Sequence, residues 1–244
     1  MARFPGLSPL IVQVLYNRGL STPSEVRAFL KGEWPEDNPF RLKGMNEAVT
    51  RLRRAIRWQE PVAVYGDFDT DGVTATVLLV ETLSALGAQV RPYIPHRVEE
   101  GYGLNTGALR ELARRGSRVV VTVDCGIRSL PEVAYGRRLG LDIIVTDHHA
   151  PGEELPPAIA AINPRQASCR YPFKELAGVG LAFKLAQALL RANRQTPVVS
   201  SQVDLDEEDL LDLVALGTVA DLAPLLGENR ALVKRGLEKL NRPQ

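Results

Sequence analysis

The 244 residues, 45% hydrophobic and carrying a formal net charge of +1, can supply an ordinary apolar core for one large domain or two small ones. Two cysteines far apart in sequence, Cys125 and Cys169, exclude a disulfide framework or a zinc knuckle and fit a reducing cytoplasm. The opening MARFPGLSPL lacks the apolar centre of a signal peptide, and no apolar run nears the roughly 20 residues that cross a bilayer; a cytoplasmic protein without membrane attachment is expected.

In chain order, residues 8–17 read as a short helix ending near Gly19. Thr22-Pro23-Ser24-Glu25 spells a capping box with proline at the first helical position, opening a helix through Leu30. KGEWPEDNPF (31–40), rich in proline and charge, reads as a connection, after which Asn46 is placed to cap a helix to about Trp58. Residues 1–60 are therefore expected to be a helical N-terminal region. From Pro61, β-branched runs alternate with helical patterns: VAVYG, VTATVLLVETLSALG, QVRPYIP, ALRELARRG, RVVVTVD, EVAYGRRLG, DIIVTD and AIAAIN. Near-continuous apolar strands separated by helices predict an α/β fold with a mostly parallel, doubly wound sheet. Past Asn163, PRQASCRYPF leads into helices near 179–193, 206–218 and 228–240, a helical C-terminal part. The basic runs RLRRAIRW (51–58) and ARRGSR (113–118) and the acidic DLDEEDLLD (204–212) read as solvated helix faces.

Three predicted strands end in acid. VAVYG opens onto Asp67 within GDFDTDG (66–72), which also carries Asp69 and Asp71; VVVTV ends at Asp124; DIIVT ends at Asp147-His148-His149. Parallel strands present their carboxyl ends to one crevice, so side chains distant in sequence meet there. Asp221, closing the apolar LVALGTVADLAP, is a further candidate. Two unit charges about 4 Å apart repel by roughly 4 kcal/mol at an effective dielectric near 20, so six carboxylates in one pocket call for divalent cations. Carboxylates with imidazoles suit manganese, magnesium or iron better than structural zinc. Neighbouring histidines point apart, so one can bind metal while the other faces substrate.

Two other spellings compete. An EF-hand loop needs a glutamate where Leu78 stands. Asp69-Thr70-Asp71-Gly72-Val73 matches the D-x-D-G-[TV] signature of haloacid-dehalogenase-like phosphatases, but that reading leaves His148 and His149 idle. For substrate, PHRVEEGYG (95–103) offers His96, Arg97 and Tyr102 for phosphate contact or base stacking. Gly178 and Gly180, ahead of a helix, either present N–H groups to a phosphate or mark close helix packing. Cys125 reads as a small packed side chain.

The triplet 147–149 resembles the signature of the DHH phosphoesterases. YGDFDTDG, IPHRVEEGYGLN, VTVDCGI, VTDHH, AINPRQ, YPFKELAGVGLAFKLAQALL and LVALGTVADLAPLLGENRALVKRGL, in that order between about Ser8 and Leu240, resemble its branch of RecJ-like single-strand exonucleases. The resemblance implies two divalent cations, Mn2+ first and Mg2+ second. Asp67 and Asp69 would hold one, Asp71, His148 and Asp221 the other, and Asp124 would bridge them. His149 would meet the scissile phosphate while Asp147 orients an imidazole, so His149, Asp147 and Asp124 take the catalytic roles. Tyr65 stands where some relatives carry a histidine, leaving the first cation with fewer protein ligands. The implied activity is 5′→3′ release of 5′-mononucleotides from single-stranded DNA in repair and recombination, with single-strand-binding protein and recombination helicases as partners. A DHH enzyme acting on short RNA or cyclic dinucleotides, and a non-catalytic binding module of the same fold, stay open. Residues 61–244 would be the DHH phosphoesterase domain, without the second, substrate-closing domain usual in the family.

Overall fold

The structure, a computed structural model, describes residue 4 and residues 6–32, 37–198 and 203–242. Residues 33–36 of the predicted connection lie outside the described residues. Helix α1 (Pro9–Asn17) takes its cap from Ser8, and α2 (Pro23–Lys31) carries the reciprocal Thr22–Glu25 capping box. Helix α3 (Met45–Trp58) starts a residue before the predicted Asn46 cap. Gly44 sits there at φ 86°, with no side-chain cap, because an added Cβ would fall 2.7 Å from the Ala161 carbonyl oxygen. Close approach to the sheet, achieved only by glycine, replaces the capping side chain.

Five strands follow, β1 (Val62–Tyr65), β2 (Val90–Tyr93), β3 (Val119–Val123), β4 (Asp142–Thr146) and β5 (Ala160–Ile162). They form one sheet of order β2-β1-β3-β4-β5 in which every described pairing is parallel. The order reverses between β1 and β3, which makes that gap the switch point of a doubly wound sheet. Alternation divides the strands between two cores: Val62 and Val64 join Leu52, Leu78, Leu79 and Leu83 on one face, while Ala63 and Tyr65 join Leu109 and Val133 on the other. Strands covered on both faces explain why VVVTV and DIIVT carry almost no polar residue. Only β2, at an edge, exposes Arg91 and Pro92, and a proline is tolerated there because an edge strand need not donate on both sides.

The crossover helices are α4 (Thr70–Ala85), α5 (Thr106–Arg114) and α6 (Leu130–Arg138); α7 (Gly178–Gln195), α8 (Leu211–Ala220) and α9 (Gly227–Leu240) complete the chain. The helix expected over 206–218 is divided: Asp206 and Asp209 form a capping box around a 3-10 turn, Glu207–Leu210, and α8 begins after it. Helix α7 is buried along nearly its whole length, and its N-terminus has no side-chain cap of its own. Among the described residues no helix is long and apolar enough to cross a membrane.

Candidate metal centre

The first acidic loop is built by a tight strand-to-helix turn. Asp69 caps α4, its Oδ1 accepting from the Gly72 amide at 2.8 Å, and an added Cβ on Gly72 would lie 2.7 Å from the Asp67 Cβ. Asp67 and Asp71 point inward from this turn and are buried, whereas Asp69 stays exposed. Asp71 then supplies the cap that α7 lacks. Its Oδ2 accepts from the Gly178 amide at 2.7 Å and its Oδ1 from the Val179 amide at 2.8 Å, so the carboxylate lies on the positive end of the α7 dipole.

Asp124, at the end of β3, adopts φ 61°, a left-handed conformation rare outside glycine and tolerated best by Asp and Asn. Its carboxylate is 2.7 Å from where a Cβ of Gly178 would stand. Beyond β4, His148 Nε2 lies 3.1 Å from Asp124 Oδ1 and 3.9 Å from Asp71 Oδ2, and its Nδ1 lies 3.9 Å from Asp221 Oδ2. Asp221 ends α8, and Leu222 after it turns left-handed at φ 57°. Gly217 permits α8 to approach: a Cβ there would run into Thr74 Oγ1 and sit 2.9 Å from Asp71 Oδ1. Gly178 and Gly217 thus make room for the carboxylates of Asp124 and Asp71, and Gly72 for the backbone and Cβ of Asp67.

The outcome is two adjoining groups of ligand atoms, each within 4.8 Å of one another: Asp67, Asp69 and Asp124, and Asp71, His148 and Asp221. Asp124, His148 and His149 make a third overlapping set. Of the six carboxylates expected in one pocket, five gather; Asp147 turns aside. Its Oδ2 accepts from the Ile127 amide at 2.9 Å, and its Oδ1 lies 2.7 Å from His149 Nδ1 and accepts from the His149 amide at 3.0 Å. Since a carboxylate only accepts, His149 Nδ1 carries the proton. Asn163 Nδ2 donates to the His149 carbonyl at 2.8 Å and fixes the backbone behind the ring.

Three buried atoms of the centre make no well-formed hydrogen bond: Asp67 Oδ1, and Asp124 Oδ1 and His148 Nε2, which meet only as an ion-pair contact of 3.1 Å. Each such buried polar atom costs roughly 1–3 kcal/mol unless a ligand engages it. Electrostatics point the same way. Burial raises Asp124 to about 7 and Asp71 to about 6, with the neighbouring carboxylates adding to both. Burial also raises Asp67 and Asp221. For His148 burial pulls downward, but Asp124 beside it, with Asp221 and Asp71, outweighs this and raises it to about 9. Burial likewise acts to raise Asp147, but bonds from His149 and Ile127 hold it below its ordinary value, and the Asp147 bond raises His149. Burial raises Cys125 well above the usual thiol range, in keeping with a packed side chain.

A pH dependence follows for the chain held in chelator. Between about pH 4 and pH 7 the folded chain keeps protons on Asp71 and Asp124 that the unfolded chain has released, so stability falls as pH rises. His148 extends the same sign towards pH 9. The melting temperature in chelator should therefore be several degrees lower at about pH 8 than at about pH 5.5, and Mn2+ should shrink that gap. An equal melting temperature at both values in scanning calorimetry would contradict it.

The residues expected to meet substrate do not share one place. Arg97 lies over the Phe68 ring at 4.9 Å, Phe68 meets Tyr102 edge-on at 6.4 Å, and Tyr102 meets His149 at 6.3 Å, giving a file of side chains that ends at the centre. Phe68 is hidden in the sequence between the aspartates of GDFDTDG, in the turn that joins β1 to α4. Tyr65 is buried; its hydroxyl donates to the Gly103 carbonyl at 2.8 Å and so anchors the segment bearing Tyr102. His96 instead engages its own loop, its amide donating to Glu100 Oε1 at 2.8 Å. Gly178 and Gly180 are buried: the Gly178 amide is spent on Asp71, and Gly180 packs on Leu176, which favours the packing alternative. A hollow of about 550 Å3 opens beside His149, bounded by Tyr102, Gly126, Arg128 and Ser129; no sequence motif marks Arg128.

A doubly wound α/β domain whose switch point holds a cluster of carboxylates and imidazole is the class defined by this fold and site. Residues 61–218 match the DHH family, N-terminal domain, and the chain belongs to the DHH family. It is 48% identical over 237 residues to the single-stranded-DNA-specific exonuclease RecJ of Bacillus subtilis (strain 168), covering 97% of this chain and 28% of that protein. It superposes on exonuclease RecJ bound to manganese with TM-score 0.70 and 42% identity, covering 81% of this chain and 48% of that one. RecJ from Thermus thermophilus in complex with Mn2+ gives TM-score 0.73 at 34% identity, covering 93% of this chain and 30% of that one. The chain thus spans less than half the length of these relatives.

Proposed function

We propose that the chain carries the metal centre of a RecJ-like 5′→3′ exonuclease that hydrolyses single-stranded DNA to 5′-mononucleotides, with residues 1–60 as a helical N-terminal region and 61–244 as the DHH phosphoesterase domain. The observation that carries this reading is the convergence of three buried ligand atoms, Asp67 Oδ1, which has no hydrogen-bond partner, and Asp124 Oδ1 and His148 Nε2, which face each other at 3.1 Å. An all-oxygen-and-imidazole donor set fits Mn2+, and Mg2+ next, better than a thiolate metal. Relatives named single-stranded-DNA-specific exonuclease, and a likeness to RecJ structures holding manganese, support the substrate and the cation.

In this reading Asp67 and Asp69 would hold one cation, Asp71, His148 and Asp221 the other, with Asp124 available to both. Divalent cations held there would supply charge neutralisation on the phosphate and activation of a water near neutral pH. The chain's own groups do the rest. Asp147 keeps the proton on His149 Nδ1, and His149 in its protonated form hydrogen-bonds the scissile phosphate. The Asp147 bond raises the pKa of His149, in the direction of that form. Tyr102 and Phe68 give the terminal base a stacking wall, and Arg97 meets the backbone. A cytoplasmic location and recruitment by single-strand-binding protein and recombination helicases belong to the same reading.

The test is Mn2+-dependent release of 5′-mononucleotides from 5′-phosphorylated single-stranded DNA, compared with short RNA and a cyclic dinucleotide. DNA is expected to be cleaved preferentially, and His149→Ala to lower turnover by about 10²–10⁴-fold while Mn2+ uptake stays unchanged. Preference for RNA or the cyclic dinucleotide would overturn the DNA assignment. A phosphoaspartate trapped on Asp69 would overturn metal-assisted hydrolysis.

A further inference from the structure

The segment GENRAL at the start of α9 is distant in sequence from the strand-end acids, yet each of its three polar side chains is spent on a tertiary contact. Glu228 pairs with Lys184 of α7 and accepts from the Tyr171 hydroxyl at 2.7 Å. Arg230 lies over the Phe29 ring at 3.6 Å and donates to the Phe29 carbonyl at 2.8 Å, which ties α9 to α2. Between them Asn229, 0% exposed, donates from one Nδ2 to two backbone carbonyls, Glu175 at 2.5 Å and Pro224 at 3.2 Å. Helix α9 itself has no side-chain cap, so these residues do not serve its own end.

The two carbonyls held by Asn229 lie on separate segments that share one destination. Glu175 is three residues before Gly178, whose amide, with that of Val179, clamps the Asp71 carboxylate. Pro224 is three residues after Asp221, on a turn that contains the left-handed Leu222. The amide has two N–H bonds and both are used; turned over, it would set Oδ1 against two carbonyl oxygens, so its orientation is fixed. One side chain thereby fastens the support of Asp71 to the support of Asp221. These are the two carboxylates grouped with His148, while Asp67 and Asp69 come from the β1–α4 loop and have no share in the clip.

We infer that Asn229 is a positioning residue for one of the two cation positions, the one formed by Asp71, His148 and Asp221, and leaves the Asp67–Asp69–Asp124 position largely untouched. This rests on the two-cation reading above. Neither carbonyl can be satisfied by a smaller side chain, so truncation frees the Asp221 turn and the 175–178 segment to move independently. Removing an outer partner of this kind lowers metal affinity by about 10–100-fold.

The experiment titrates Mn2+ into the metal-free 244-residue chain by calorimetry, with EPR to report paired and isolated ions, for wild type, Asn229→Ala and Leu52→Ala. Leu52, fully buried in α3, is a stability control far from the acids in sequence. The expected result is two Mn2+ equivalents in wild type, a loss of about 10–100-fold in affinity at one position only in Asn229→Ala, and wild-type binding in Leu52→Ala. Wild-type affinity at both positions in Asn229→Ala, or equal weakening of both in Asn229→Ala and Leu52→Ala alike, would overturn the inference and leave the two-cation reading standing. A wild-type chain that takes up no Mn2+ would overturn that reading and the inference together.

Discussion

Asp124→Asn is expected to abolish most of the Mn2+-induced rise in melting temperature while leaving the metal-free chain at least as stable as wild type. Asp124 is buried, and burial raises its pKa to about 7 even though His148 Nε2, 3.1 Å from its Oδ1, pulls the other way, so above that value the folded chain carries a desolvated negative charge beside those of Asp67 and Asp71. Asparagine keeps the volume and tolerates the left-handed backbone at φ 61°, but removes the charge. In chelator the substitution therefore relieves repulsion, about 1 kcal/mol or more, which amounts to roughly 2–4 °C for a chain of this size. With Mn2+ present the balance reverses. Asp124 belongs to ligand groups on both sides of the centre, and a neutral amide oxygen in its place should weaken Mn2+ binding by at least about 100-fold, beyond what loss of an outer partner causes. Thermal melts in chelator and in Mn2+, with metal content measured after desalting, decide the matter. A variant that is less stable without metal and equally stabilised by it would mean that Asp124 is structural.

Such a trade, stability yielded for a charged centre, explains which parts of the molecule are legible in the sequence. The acids stand out because each follows a strand that is otherwise apolar: Asp67 after VAVYG and Asp124 after VVVTV violate the pattern around them, and a local violation points to function. The sheet is readable for the same reason in reverse, since strands buried on both faces are nearly continuous apolar runs with few polar residues to confuse them. The GxG at 178–180 is readable only as an alternative between phosphate contact and packing. Its amides bind Asp71, 107 residues earlier, and nothing local records that partner. The start of α3 misleads for a related reason: Asn46 satisfies local capping rules, but Gly44 wins because of Ala161 on the sheet. Asp147 groups by spacing with the metal-facing acids; only the Ile127 amide and the His149 ring turn it aside. Pairings made across the fold are the part that spacing cannot carry.

The same glycine pair yields the second large effect. Gly178→Ala is expected to cost about 2–3 kcal/mol, in the range of core overpacking, lowering the melting temperature by roughly 5–10 °C, and to weaken Mn2+ binding by about 10–100-fold. The added Cβ would stand 2.7 Å from the Cβ, Cγ and Oδ1 of Asp124, so either Asp124 moves or α7 does. If α7 moves, the Gly178 and Val179 amides leave Asp71; if Asp124 moves, it leaves His148. Both routes disturb the same centre from opposite sides, so relaxation cannot spare it. Gly180→Ala is the built-in contrast, two residues along the same helix. The nearest atoms to its Cβ would be those of the Leu176 side chain, at 3.2–3.9 Å, and alanine in a helix regains up to about 1 kcal/mol over glycine, so a near-neutral change in stability and unaltered Mn2+ affinity are expected. Melting curves and Mn2+ titrations on the two variants separate the explanations. If both alanines weaken Mn2+ equally, general packing of α7 governs the centre and not the clearance between Gly178 and Asp124; if only Gly178→Ala does, that one missing methyl group is what lets a helix terminus and a strand-end carboxylate share the space.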